Sequence, residues 1–322
     1  MSNIPKISIL VPCFNVEQFV AECLQSLQRQ TLTDIEVLCL NDGSTDNTLE
    51  IIKQTVGNDP RFHIIDKSNS GYGATMNLGL KMAKANYIGI VESDDYVEPE
   101  MFKLLYDQAI EHNLDISRCI FNTLFNGKSI PTKCPNIPKN KTFDPKICTD
   151  FFHNPPSIWA AIYRRTLITD NDIQFLETPG AAFQDTSFAF KTALSANRIR
   201  CLPIGLLNYR IHQNNSVKKA NNVYVVFDEL DECVRYANTH NEEEIIQKVI
   251  LRREYNIFKW NYFRLPPEAA HQFFISWSKR WTKNKGYNCH INKNTIKIIL
   301  YYIAITKFPR FFENYLQRKT KK

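Results

Sequence analysis

Nowhere in the 322 residues do two cysteines form a C-x-x-C pair, although the chain has nine. They are scattered at positions 13, 23, 39, 119, 134, 148, 201, 233 and 289. An odd, dispersed set speaks against a disulfide framework or structural zinc and for a reducing compartment. No apolar run reaches the roughly 18–20 residues of a membrane-spanning helix. The opening MSNIPKISILVPCFN lacks the apolar core and small-residue cleavage site of a signal peptide, so a cytoplasmic location is expected. No G-x-G-x-x-G follows the first strand-like run and no G-x-x-x-x-G-K-[ST] occurs anywhere, so the common glycine-rich phosphate cradles are absent. Repeats of fixed period, low-complexity tracts and a recognisable nucleic-acid-binding fold are also lacking.

What is present is ordinary in bulk and uneven in detail. With 43% apolar and 23% charged residues the chain is neither disordered nor collagen-like. Its length suits one large α/β domain with an appendage, or two domains. The net charge of +7 is concentrated at one end. Between Lys279 and Lys322 there are 12 Lys and Arg against one acid, Glu313, a local +11 that leaves −4 on the other 278 residues. A basic tail on a mildly acidic body points to an anionic neighbour near the tail.

Periodicity divides the chain. Apolar runs at Ile7–Val11, Ile35–Leu40, Phe62–Ile65, Tyr87–Val91 and Ile116–Phe121 read as strands. Amphipathic stretches at Val16–Gln30, Thr45–Val56, Gly73–Ala83 and Glu100–His112 read as the helices between them. The alternation predicts an α/β fold with a mostly parallel central sheet flanked by helices. Residues 126–148, with four prolines, read as a long loop. Element-like sequence resumes over 149–210, and the chain reads as mainly helical from about Asn222.

Ligands of a parallel α/β sheet bind at the carboxyl ends of its strands. Here those ends carry Pro12-Cys13-Phe14-Asn15, Asn41-Asp42-Gly43-Ser44-Thr45-Asp46, Asp66 to Gly73, and Glu92-Ser93-Asp94-Asp95. Three clustered acids would repel a phosphate unless a divalent cation stood between them. Such a cluster therefore reads either as a metal–diphosphate site for Mn²⁺ or Mg²⁺ or as an acidic loop capping the next helix.

The run ISILVPCFNVEQFVAECLQSLQRQTLTDIEVLCLNDGSTDNT resembles the N-terminal signature of the family 2 glycosyltransferases, with NSGYGATMNLGL and VESDDYVEP following in that family's order. The likeness returns in IWAAIYRRTLI, FQDTSFAFKTAL and YRIHQNNSV. It implies a GT-A, nucleotide-diphospho-sugar transferase-like fold with a catalytic domain over 1–220. Residues 1–121 would bind the nucleotide-sugar and 149–216 the acceptor, and 221–322 would form a helical C-terminal region. Pro12, Phe14 and Asn15 would line the base pocket. Asp42 would meet base or ribose, and Asp46 would orient its loop. Asn69, Gly71 and Asn77 would border the donor. Glu92-Ser93-Asp94 stands where the family has Asp-x-Asp, with Asp94 as metal ligand. Asp95 would support the loop or face the acceptor. Gln184-Asp185 replaces the family's Glu-Asp, leaving Asp185 as the general base and Gln184 to bond the acceptor or orient Asp185. Asp185 alone also fits a helix N-cap. His212 would complete the metal shell or meet the diphosphate, unless it is simply a surface histidine. Trp159 would pack along an acceptor sugar or belong to the core.

The implied reaction is inverting hexosyl transfer from a nucleotide-sugar, most simply a UDP-sugar, to a glycan or lipid-linked acceptor of lipopolysaccharide or capsule type. Two other readings stay open. One is a sugar-nucleotide nucleotidyltransferase, although PCFNVEQ lacks a basic glycine-rich loop. The other is a catalytically silent glycan-binding relative. The tail, with an apolar run at Ile296–Ile305 followed by KFPRFF, reads through 293–322 as an interfacial anchor on an anionic membrane or as a helix packed on the body with a solvated basic end. The anchor would place the protein on the inner face of the cytoplasmic membrane.

Overall fold

The computed structural model describes residues 4–125, 128–134, 137–212, 223–283 and 296–320. The polar run 213–216 and tail residues 293–295 and 321–322 lie outside them. The chain divides into two compact units, Met1–Asn221 and Asn222–Lys322.

The first unit opens with the alternation expected. Strand β1 (Ile7–Cys13), helix α1 (Val20–Gln28), β2 (Ile35–Asp42), α2 (Thr48–Val56), β3 (Phe62–Lys67), α3 (Tyr72–Met82) and β4 (Tyr87–Ile90) follow in order. Strands β1, β2 and β4 are buried along their whole length, so each carries apolar side chains on both faces. Helix α1 turns Val20, Cys23, Leu24 and Leu27, spaced at helical intervals, into the sheet core. Two-residue β5 (Tyr96–Val97), α4 (Met101–Glu111) and ten-residue β6 (Ile116–Phe125) come next.

The 126–148 stretch is not wholly a loop. Strand β7 (Lys128–Pro131) folds back on β6, its four residues exposed at an edge where proline is tolerated. After two 3₁₀ turns at Thr149–His153 and Ile158–Ala160 come β8 (Ala161–Arg164), α5 (Arg165–Thr169), α6 (Asp185–Ser195) and β9 (Ile199–Arg210). The strand order is β3-β2-β1-β4-β8-β6-β9-β5, with β7 beside β6. Neighbours from β3 to β4 run parallel, and β8 lies antiparallel between β4 and β6. The carboxyl ends of β1, β2, β3 and β4 therefore open on one edge, and the end of β9 reaches it through β5.

The second unit is helical: α7 (Val225–Thr239), α8 (Glu243–Arg264), α9 (Pro267–Lys283), α10 (Ile296–Lys307) and α11 (Pro309–Thr320). Trp277 and Trp281 are fully buried in it. Glu254, also fully buried, accepts hydrogen bonds from Arg280 Nε (3.0 Å), Arg280 Nη2 (2.8 Å) and Trp281 Nε1 (2.7 Å), so its charge is matched inside the bundle. The apolar tail packs within this unit. Tyr302 donates to Trp281 O at 2.9 Å, Ser278 to Ile305 O at 3.1 Å, and Phe312 and Leu316 are buried. No helix among the described residues is long and apolar enough to cross a membrane.

Candidate active site

The turns after β1 and β2 are tied into one ledge by side chains bonding backbone. Asn15 sits at φ +52°, a left-handed conformation that asparagine tolerates. Its amide nitrogen donates to Ser44 Oγ at 3.1 Å, and its Oδ1 accepts from Thr45 N at 2.8 Å. Asp46 accepts from Glu17 N at 3.2 Å and from Thr48 N at 3.0 Å, orienting the loop as expected of it. Pro12 is buried under this ledge, while Phe14 stands out of it with 47% of its surface exposed.

Asp42, at the end of β2, is 4% exposed, and donors surround its carboxylate. Oδ1 accepts from Ser70 N at 2.8 Å and from Lys67 Nζ, and Oδ2 accepts from Gly71 N at 3.0 Å. Burial alone would raise its pKa. The hydrogen bonds from Lys67, Ser70 and Thr75 outweigh burial and hold it below the usual carboxylate range. Asn69 Nδ2 donates to Asp42 O at 2.9 Å. A Cβ on Gly43 would stand 2.7 Å from Asn69 N, so glycine is required for the two loops to meet. Asp42 thus shapes the loop carrying Asn69 and Gly71.

The acids after β4 split by environment. Glu92 accepts a 2.7 Å hydrogen bond from the Tyr72 hydroxyl, and burial pushes its carboxyl up to about 8. Ser93 is buried beneath the turn. Asp94 Oδ2 lies 2.9 Å from His212 Nε2, across 118 residues of sequence. Asp95 is fully buried and accepts from Arg210 N at 2.8 Å through Oδ1, while Oδ2 has no partner among the described residues. Burial and the charge of Asp94 drive its pKa well above the ordinary value. The bond from Arg210 N ties Asp95 to the end of β9. The Phe19 ring lies against the His212 imidazole, centroids 4.5 Å apart, and the Arg210 guanidinium bonds Glu22 at 2.5 Å and covers the Tyr96 ring.

Helix α6 brings the second half of the site. Asp185 is its first residue and is half-buried. The field of Asp185 reaches the hydroxyls of Tyr72, Tyr163 and Tyr209 and the carboxyl of Glu92. Tyr209 gathers the cluster: burial first, then Asp95, Asp94, Asp185 and Glu92, push its hydroxyl up to about 12. Trp159 stacks on Tyr209 at 5.4 Å with the rings 1° apart, half-buried.

Gln184 and Asn77 each bond within the protein. Gln184, 1% exposed, donates through Nε2 to Thr178 Oγ1 at 2.9 Å and to Gly180 O at 3.3 Å. Asn77 donates to Phe175 O at 3.0 Å and to Glu177 Oε1 at 2.9 Å, and accepts from Phe175 N at 2.8 Å. Asn77 fastens the 173–184 segment to α3, and Gln184 ties that segment back on itself. Gly73 makes this crossing possible, since a Cβ there would meet Leu176 O at 2.0 Å.

Phe19 and Glu22 carry no site signal in the sequence beyond helical periodicity. Tyr72 and Tyr209 stand inside motifs of the resemblance, and the folded chain brings all four side chains to the site.

Residues 8–168 match the family described as glycosyl transferase family 2. EpsJ of Bacillus subtilis, an uncharacterized glycosyltransferase, is 34% identical over 224 residues, 66% of this chain and 63% of EpsJ. YibD of Escherichia coli, also an uncharacterized glycosyltransferase, is 30% identical over 228 residues, 68% of this chain and 65% of YibD. The chain thus spans a little under two thirds of these relatives. The crystal structure of Staphylococcus aureus TarS 1–349 in complex with UDP-GlcNAc superposes with a TM-score of 0.73, covering 86% of this chain and 81% of TarS at 24% identity, a likeness of fold that fits the expected GT-A arrangement. On the match over 8–168, the chain belongs to glycosyl transferase family 2.

Proposed function

We propose that the chain is an inverting, metal-dependent glycosyltransferase that moves a hexose from a UDP-sugar to a growing bacterial surface glycan, of lipopolysaccharide or capsule type and carried on lipid. The observation that carries the reading is the convergence of Asp94, His212, Glu92 and Asp185 around Tyr209 at the carboxyl edge of the sheet. TarS, a poly(ribitol-phosphate) β-N-acetylglucosaminyltransferase 32% identical over 202 residues, 61% of this chain and 34% of TarS, supports a nucleotide-sugar donor.

Asp94 and His212 fit a divalent cation. A carboxylate oxygen and an imidazole nitrogen 2.9 Å apart suit Mn²⁺ or Mg²⁺. Among the described residues no group of three or more His, Cys, Asp or Glu makes a complete cage, so diphosphate oxygens and water would complete the shell. The ion supplies charge stabilisation for the leaving diphosphate. Asp185 accepts the proton of the acceptor hydroxyl as that oxygen bonds the anomeric carbon and the bond to UDP breaks. One such displacement inverts the anomeric centre and needs no second carboxylate as nucleophile. The Trp159–Tyr209 stack offers an aromatic platform to the acceptor sugar.

The test is release of UDP or GDP from a panel of sugar nucleotides, with and without Mn²⁺. A nucleotidyltransferase would release no nucleoside diphosphate from the panel and would give pyrophosphate only from a nucleoside triphosphate with a sugar 1-phosphate, and a silent relative would release neither. Asp185→Asn is expected to bind UDP like the parent while turnover falls by about 10²–10⁴. Transfer at near the parental rate in that variant would remove Asp185 from the role of base.

A further inference from the structure

The second unit carries a surface that glycosyl transfer does not use. The apolar residues of α10 and α11 divide sharply. Ile305, Phe312 and Leu316 are buried, whereas Leu300 is 59% exposed, Ile303 45%, Phe308 64% and Phe311 76%. Leu300, Ile303 and Lys307 follow one another at i, i+3 and i+7, which aligns them on one side of α10. Phe308, Arg310 and Phe311 follow in the chain across the turn into α11, and Lys307, Arg310 and Arg318 are all exposed.

The exposed charged side chains described on α10 and α11 have one sign. Glu313 is the only acid between 296 and 320. It is 7% exposed and lies 2.8 Å from His271 Nδ1, drawn into the bundle. What remains outside is large apolar side chains interleaved with cations.

We propose that this face, centred on Ile303, Lys307, Phe308, Arg310 and Phe311, docks on an anionic lipid surface. Exposed aromatic and aliphatic side chains gain by entering the acyl boundary of a bilayer, and the flanking cations gain from anionic headgroups. A polyanion such as RNA would match the cations and stack bases on Phe308 and Phe311, yet would leave the aliphatic Leu300 and Ile303 in water, so the aliphatic part of the face decides for lipid. The packing of Ile305, Phe312 and Leu316 inside the bundle makes this a face of a folded unit, not a free anchor. The proposal does not rest on the donor site.

The test is co-sedimentation of the full chain with phosphatidylglycerol-rich vesicles and with pure phosphatidylcholine vesicles, at low and high salt. Binding is expected to the anionic vesicles, weakened but not abolished by salt, because only the ionic part is screened. Lys307→Gln with Arg310→Gln should lower partitioning by about 30-fold, at roughly one headgroup interaction per cation. Phe308→Ser with Phe311→Ser should lower it by at least tenfold. Both pairs should melt with the parent and bind UDP equally, since the side chains replaced are exposed. Failure of the parent to bind anionic vesicles at low salt would overturn the proposal. So would binding that the Phe pair leaves intact, which would mark a polyanion surface, or binding that neither pair weakens, which would place the lipid contact elsewhere.

Discussion

Replacing Asp42 by asparagine tests how the donor-side loop is held. The carboxylate accepts from two backbone amides, Ser70 and Gly71, and from Lys67, whose side chain keeps 20% of its surface in water. Asparagine keeps one acceptor and turns an NH₂ toward one of those donors. Breaking a buried charged pair by removing one partner costs about 3–5 kcal/mol. Because water still reaches Lys67, the expected loss is at the lower end, about 3 kcal/mol, or roughly 6–12 °C in melting temperature for a unit of this size. Urea unfolding of the parent, Asp42→Asn, Lys67→Met and the double variant isolates the pair. The pH dependence has a definite sign. A carboxylate whose pKa is depressed on folding stabilises above the unfolded value, near 3.9, and loses that contribution as pH falls through the folded value. The gap between parent and Asp42→Asn should therefore be full at neutral pH and close below about pH 4. A loss under about 0.5 kcal/mol at pH 7, or a gap that widens on acidification, would refute the reasoning.

Further expectations follow from the site. Asp94→Ala and His212→Ala should each abolish the Mn²⁺-dependent part of UDP affinity in calorimetry, and the double variant should be no worse than either single one, because the pair acts as a unit. Tyr72→Phe removes only the hydroxyl that holds Glu92 and should cost about 1–3 kcal/mol in kcat/KM while the fold melts nearly unchanged; an unaltered kcat/KM would make that contact incidental. Gly73→Ala forces a Cβ toward the Leu176 carbonyl and should destabilise by about 1–3 kcal/mol, read in urea, with a raised donor KM as the crossing segment shifts.

The parallel half of the sheet was legible because β1, β2 and β4 are buried on both faces and so read as unbroken apolar runs. Strand β5 was not, since two residues give no period, and β7 hid in a proline-rich stretch because an edge strand tolerates what a central one does not. Asp94, Asp185 and His212 are proposed from motif order, which does not say where a side chain points. Asn77, Gln184 and Asp95 show the difference. All three stand at motif positions, and each turns its polar atoms toward neighbouring backbone.

The segment over 173–184 is fastened largely through its main chain: Gly180 O receives Tyr72 N, Phe175 O receives Asn77, and Thr178 O and Gly180 O receive Gln184. Fasteners of this kind do not read the side chains of the segment they hold. Glu177 and Pro179 are exposed, and apart from the one Asn77–Glu177 contact their identity is not demanded by the path they follow. The path is thus held while the lettering at Glu177 and Pro179 is free to change. This is a place where a new recognition surface can be grafted beside the proposed site, residue by residue, without redesigning the scaffold beneath it.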